Sequence, residues 1–155
     1  MHPGSCFCGE VQYRLTSAPM FIHCCHCRDC QKQSGGAFAI NALIEADRVE
    51  LLAGQTVPVS MPTDSGRPHI IHRCPKCQTA LWSTYGGRTE TRFVRVSTLE
   101  DAARFVPDVH IFTRSKLPWV RLPEGARAFE VYYDAKAEWP AESLARRKAN
   151  AAKAG

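Results

Sequence analysis

Eight cysteines punctuate this chain of 155 residues, and seven of them fall into three tight phrases. These are Cys6-Phe7-Cys8 near the start, Cys25-His26-Cys27-Arg28-Asp29-Cys30 further on, and Cys74-Pro75-Lys76-Cys77 in mid-chain. Cys24 is left over. Thiolate zinc sites use four protein ligands when structural and keep one position open when catalytic. The pairs Cys6/Cys8 and Cys74/Cys77 make a natural set of four. The triplet Cys25/Cys27/Cys30 makes three and leaves room for a substrate. A four-sulfur set drawn from two distant segments would close a long loop, and binding a structural zinc is itself folding free energy. Pairs one or two residues apart seldom bridge each other as disulfides, and a chain of this length folds without covalent staples. Close metal spacings without an apolar signal core point to a reducing, cytoplasmic setting.

The rest of the composition is that of one globular domain, with 45% hydrophobic and 23% charged residues. No apolar run approaches the ~20 residues of a membrane span. The formal charge of +5 looks basic. A zinc with four thiolates carries −2 and one with three carries −1, so two filled sites would bring the chain to +2. Overall charge then gives little support to nucleic-acid binding.

Val11, Tyr13 and Leu15 alternate with polar residues, which is strand periodicity. Further β-type runs span 37–44, 49–52, 69–73, 80–84, 93–97, 109–112 and 129–133, punctuated by Gly54, Gly66, Gly86-Gly87, Pro107 and Pro123. Many short strands without intervening helices predict a mainly β, antiparallel domain over residues 1–133. Residues 27–34 are polar, lack β-branched side chains and stop at Gly35-Gly36, so they predict one short helix. Residues 134–155 form a basic tail. Its stretch 141–154 is rich in Ala, Arg and Lys, but Leu144 is its only large apolar residue. That predicts a helical tail, frayed because little packing holds it.

Four segments together resemble the glutathione-dependent formaldehyde-activating enzyme family. They are Ser5-Cys6-Phe7-Cys8-Gly9, the run from Cys25 to Gly35, Cys74-x-x-Cys77, and His110-Ile111-Phe112-x-x-Ser115-Lys116-x-x-Trp119. The resemblance implies a tent-like β fold with two zinc ions per chain. It implies a structural site of Cys6, Cys8, Cys74 and Cys77, and an active-site zinc on Cys25, Cys27 and Cys30; three ligands from one short turn predict that the second zinc is the more labile. The implied activity is that of a carbon–sulfur lyase joining glutathione to formaldehyde as S-hydroxymethylglutathione. One position departs from the family pattern: Gln78 follows the second pair where Gly is usual.

Glutathione, or another small thiol, and a small aldehyde are therefore the expected partners, and a homodimer is compatible with the sequence. Glutathione carries two carboxylates, so basic side chains should line the pocket. Arg28 and Lys32 lie four apart on one face of the predicted helix, and Arg114 and Lys116 follow in the last matching segment. Phe112 and Trp119 fit core packing better than a pocket wall, and His110 suits a strand position or a proton shuttle. His26 is a weak fourth-ligand candidate and Cys24 reads as a packed thiol. Two alternatives stand beside the enzyme. One is a non-catalytic zinc module for nucleic acid or protein, using Arg67, His69, His72, Arg73, Lys76, Arg88, Arg92 and Arg95. The other is a thiol-redox or metal-storage protein built on Cys24–Cys30.

Overall fold

A computed structural model describes residues 1–153. Ten strands form two sheets. Strands β1 (His2–Ser5), β2 (Gln12–Leu15) and β5 (Val49–Ala53) make a small antiparallel sheet in the order β1-β2-β5. The larger sheet has seven strands: β3 (Phe21–Cys25), β4 (Ala39–Glu45), β6 (Val57–Met61), β7 (His69–Arg73), β8 (Ala80–Tyr85), β9 (Arg88–Arg95) and β10 (Val109–Ile111). Its order is β10-β3-β4-β9-β8-β7-β6. The expected antiparallel pairing holds except at one edge, where β10 runs parallel to β3. A parallel neighbour requires a crossover, and the chain between β3 and β10 supplies it by building the other five strands of the large sheet and β5 of the small one.

The periodicity at the start has a direct outcome. Val11, Tyr13 and Leu15 are fully buried, and they join Ile44, Leu81, Trp82 and Val94 in a core shared by both sheets. Gly4 lies against that core: a Cβ there would come within 2.5 Å of the Tyr13 ring. A second core gathers Phe21, Leu43, Val109, Ile111, Tyr133 and Trp139. Strand β4 is buried on both faces, with Ala42 and Ile44 in the first core and Leu43 in the second. That continuous burial hides alternation from a sequence reading.

The predicted run 129–133 is not a strand. An isolated bridge between Ala128 and His110 precedes it, and the run follows β10 through bonds such as Phe129 N–H to His110 C=O. Strands β1, β3 and β6 were not among the predicted runs. Pro3 and Gly4 mask β1, and β3 is buried throughout.

The short helix α1 (Arg28–Ser34) forms as its composition predicts. Cys27 caps its start through a 3.4 Å bond from Cys30 N–H, and Gly35 ends it in the left-handed conformation. The tail forms α2 (Ala135–Glu138) and α3 (Ala141–Ala152), so it is helical; Ala154, the last residue of the predicted stretch, lies outside those described. It is not a loose appendage. Trp139 stacks on Phe21 at 5.0 Å. Ser143 donates to the Met20 carbonyl at 2.6 Å, Asn150 to Glu90 C=O at 2.8 Å, and Arg146 pairs with Glu45. Polar anchors and one tryptophan replace the apolar stripe whose absence suggested fraying.

Candidate metal centre and active site

The two paired cysteine phrases meet. Residues 74–77 form a turn between β7 and β8, and Cys6 and Cys8 form a bend between β1 and β2. Cys6 and Cys8 sulfurs lie 3.6 Å apart, Cys8 and Cys74 3.8 Å apart, and all four sulfurs are within 4.8 Å of one another. A tetrahedron with Zn–S bonds of ~2.3 Å has edges of about 3.8 Å. The set therefore fits one ion of that size. Backbone N–H groups point at it: Val11 N–H donates to Cys6 Sγ at 3.2 Å and Cys77 N–H to Cys74 Sγ at 3.5 Å. Hydrogen bonds from the Thr79 hydroxyl and N–H hold the Cys77 thiol down to about 5, the form a metal ligand needs.

Gln78 explains its departure from the family pattern. Its backbone is left-handed, at φ 60°, a region where Gly pays no steric cost. The knuckle tolerates Gln because its amide donates to Pro75 C=O at 2.9 Å and Arg73 grips its carbonyl at 2.9 Å.

The triplet forms a separate cluster. Cys25 ends β3, Cys27 caps α1, and Cys30 sits one turn into that helix. Cys25 and Cys27 sulfurs lie 3.4 Å apart and all three are within 4.8 Å of one another. Hydrogen bonds from the Cys25 and Cys30 thiols, with the Cys30 and Asp29 N–H groups, hold the Cys27 thiol far below its ordinary value. The same coupling pushes Cys25 up, because its thiol donates to Cys27. The donor set suits a thiophilic ion, and all three sulfurs line a cavity of about 380 Å³.

Arg28, Arg95 and Arg114 line this cavity, with Phe112 and Tyr132 among its aromatic walls. Arg95, on β9, is 8% exposed; its guanidinium donates to the Asn41 side chain and has no carboxylate partner among the described residues. Burial lowers its pKa, opposed by the negative charge of Cys30 and Cys25. Lys32 is exposed and Lys116 is directed elsewhere: its ammonium donates to Leu117 C=O at 3.3 Å and Val120 C=O at 2.8 Å. Neither lines the cavity. Phe112 packs against the second core and also walls the cavity from a left-handed backbone, φ 55°. Trp119 is 68% exposed, so the expectation of core packing fails there. Trp119 sits with Pro118 in a turn closed by the Val120 N–H to Leu117 C=O bond at 3.0 Å.

Two supporting groups are not among the expected site residues. Gln31 is buried in α1, where its amide donates to His26 C=O at 2.8 Å and Ser115 C=O at 2.9 Å while its oxygen accepts from Arg28. It ties the cysteine loop to the segment after β10. The segment just before the tail supplies Tyr133, whose hydroxyl is bonded by His23 and by Trp139 Nε1 of the tail at 2.7 Å. Burial lowers His23 to about 3, so it stays neutral beside the sulfurs.

Of the basic residues in the nucleic-acid alternative, several are engaged within the fold. Arg92 lies over the Trp82 ring at 4.8 Å, Arg73 holds Gln78, and His72 contacts the Thr56 hydroxyl at 3.2 Å.

A model of the glutathione-dependent formaldehyde-activating enzyme family matches residues 1–115, which include all eight cysteines. The chain belongs to that family. A protein of Halomonas elongata, provisionally named a glutathione-dependent formaldehyde-activating enzyme, is 32% identical over 146 residues, covering 89% of this chain and 93% of its own. A Rhodobacter sphaeroides protein of known crystal structure shares the fold, with a TM-score of 0.50 and 20% identity over 68% of this chain and 97% of that one. The family match stops at Ser115, so the tail that seats Tyr133 lies beyond it. Among the described residues no helix is long and apolar enough to cross a membrane.

Proposed function

We propose that this protein is a zinc-dependent, carbon–sulfur lyase-type enzyme that joins glutathione, or a closely similar anionic thiol, to a small aldehyde such as formaldehyde. The observation that carries the reading is the convergence of three cysteine sulfurs on one wall of an arginine-lined cavity. Membership of the family supports it. Cys25, Cys27 and Cys30 would hold the active-site zinc, and Cys6, Cys8, Cys74 and Cys77 a structural one. A zinc held by three thiolates binds a further thiol readily and lowers its pKa.

The remaining work falls to the protein's own side chains. Arg28, Arg95 and Arg114 bind the carboxylates of the thiol by charge-assisted hydrogen bonds. Arg95 is the strongest candidate, because a buried guanidinium without a carboxylate partner is costly until an anion arrives. Phe112 and Tyr132 exclude water from the aldehyde. Gln31 keeps the cysteine loop and the Ser115 segment in register. In the reaction the sulfur–carbon bond forms, the carbonyl π bond breaks, and the thiol proton ends on the new hydroxyl oxygen. Asp29 and His69, which both line the cavity, would carry that proton.

The test uses metal-replete protein with glutathione and formaldehyde, following exchange into S-hydroxymethylglutathione by NMR. Exchange should accelerate over the uncatalysed rate and return to it in Cys27→Ser. In cobalt-substituted protein, glutathione should strengthen sulfur-to-cobalt charge-transfer absorption. If exchange is unaccelerated and the cobalt spectrum ignores small thiols, the proposal is wrong.

A further inference from the structure

The two thiolate centres use seven cysteines and leave Cys24. Its place on β3 decides its surroundings. Side chains alternate across a strand, so His23 and Cys25 face the arginine-lined cavity while Cys24 and His26 face a second one of about 460 Å³. Strand β10 runs beside β3 with His110 opposite Cys24, which brings a second imidazole to that face. Phe38, Val120 and Leu122 line the rest of this second cavity with Arg121 and Arg127.

The three side chains converge. Cys24 Sγ lies 3.5 Å from His26 Nε2, and the same nitrogen lies 3.0 Å from His110 Nδ1. One ligand atom from each of Cys24, His26 and His110 lies within 4.8 Å of the other two. We propose that Cys24 Sγ, His26 Nε2 and His110 Nδ1 form a third metal site, for a zinc-class divalent ion, with an open fourth position on the second cavity.

The distances fit such an ion. With Zn–S of ~2.3 Å and Zn–N of ~2.05 Å, tetrahedral geometry sets S···N near 3.6 Å and N···N near 3.3 Å. The two hydrogen-bond-range separations, 3.5 and 3.0 Å, are each within a few tenths of an ångström of that. A nucleophile–base–orienter relay is a poorer account. A relay needs the two nitrogens of the central ring to face different partners, whereas here one nitrogen faces both. At most two protons can be shared among three converging lone pairs, while one cation satisfies all three. His26 is 0% exposed, and its Nδ1 has no hydrogen-bond partner among the described residues. Nε2 therefore carries the polar contacts of this buried ring, and it makes them to Cys24 and His110. One thiolate with two imidazoles is a borderline-soft set suited to zinc or cobalt. Binding replaces the Cys24 S–H bond by an S–metal bond and releases the proton to solvent.

Native mass spectrometry of the zinc-saturated, desalted full chain tests this. Wild type should carry three zinc ions per chain, and Cys24→Ala and His110→Ala should each carry two. Two ions in wild type, or three in both variants, would overturn the proposal, the latter because the extra ion then lies elsewhere. If neither variant folds, cobalt titration of metal-free wild type decides. The sites richer in thiolate fill first, and the third equivalent should add a further, weaker thiolate-to-cobalt band. A third equivalent that adds none rules the site out.

Discussion

Arg146→Ala should destabilise the protein by about 2–3 kcal/mol at neutral pH, although Arg146 lies in a tail that reads as solvent-facing. The guanidinium grips Glu45 with both edges, Nε to Oε1 at 2.9 Å and Nη2 to Oε2 at 2.7 Å, and also donates to Ala18 C=O at 3.1 Å. The Glu45 side chain is only 4% exposed. Removing one partner of a buried pair costs about 3–5 kcal/mol, because the other charge stays buried. Arg48 remains 3.5 Å away from Glu45 and water reaches the vacated space, so the lower part of that range, somewhat reduced, applies. For a chain of this size that is a fall of about 5–10 °C in Tm. The pH dependence carries a sign. Burial raises the Glu45 carboxyl, but the hydrogen bonds and charge of Arg146, with Arg48, outweigh it and leave the pKa lowered. The pair's contribution is therefore present above the ordinary carboxylate value of ~4.3 and is lost as pH falls through the lowered one. In Arg146→Ala burial prevails, the carboxyl shifts up, and the variant should gain relative to wild type between pH 7 and pH 4. Urea melts at both pH values, with zinc fixed and in excess, measure this. A loss under 1 kcal/mol, or one independent of pH, would refute the argument that the pair anchors the tail.

Four further outcomes are expected. Cys74→Ser should lose its cooperative melt, because a structural ligand carries folding energy. Cys27→Ser should keep it and lose only the metal that graded chelation removes first; circular dichroism with metal counting separates the two. Gln78→Gly should be stabilising by up to about 1 kcal/mol in denaturant melts, since the left-handed position costs a non-glycine residue ~1–2 kcal/mol and the side chain's exposed bond to Pro75 returns part of it. Arg95→Met should raise KM for glutathione about 10- to 150-fold, the equivalent of ~1.5–3 kcal/mol for a lost charge-assisted hydrogen bond, with a much smaller effect on a neutral thiol in the same exchange assay.

Cysteine spacing by itself determined a good deal. It sorts four sulfurs from three because a short pair or triplet can only converge locally, and alternation at Val11, Tyr13 and Leu15 marks a sheet face because strand geometry repeats every second residue. The stop at Gly35 was equally legible. What remained hidden depends on partners remote in sequence. Arg95 has no motif, yet β9 carries it into the cavity beside Cys30. Lys116 has one, and its ammonium turns back onto two carbonyls. The tail looked unanchored because its anchors are polar atoms that meet Met20, Glu45 and Glu90 from elsewhere in the chain. Cys24 differs from Cys25 by one position, and only the parallel seating of β10 beside β3 places His110 opposite it. A sequence reports what is local and periodic; pairing between strands far apart in the chain is set by the lowest free energy of the whole core, and no single segment encodes it.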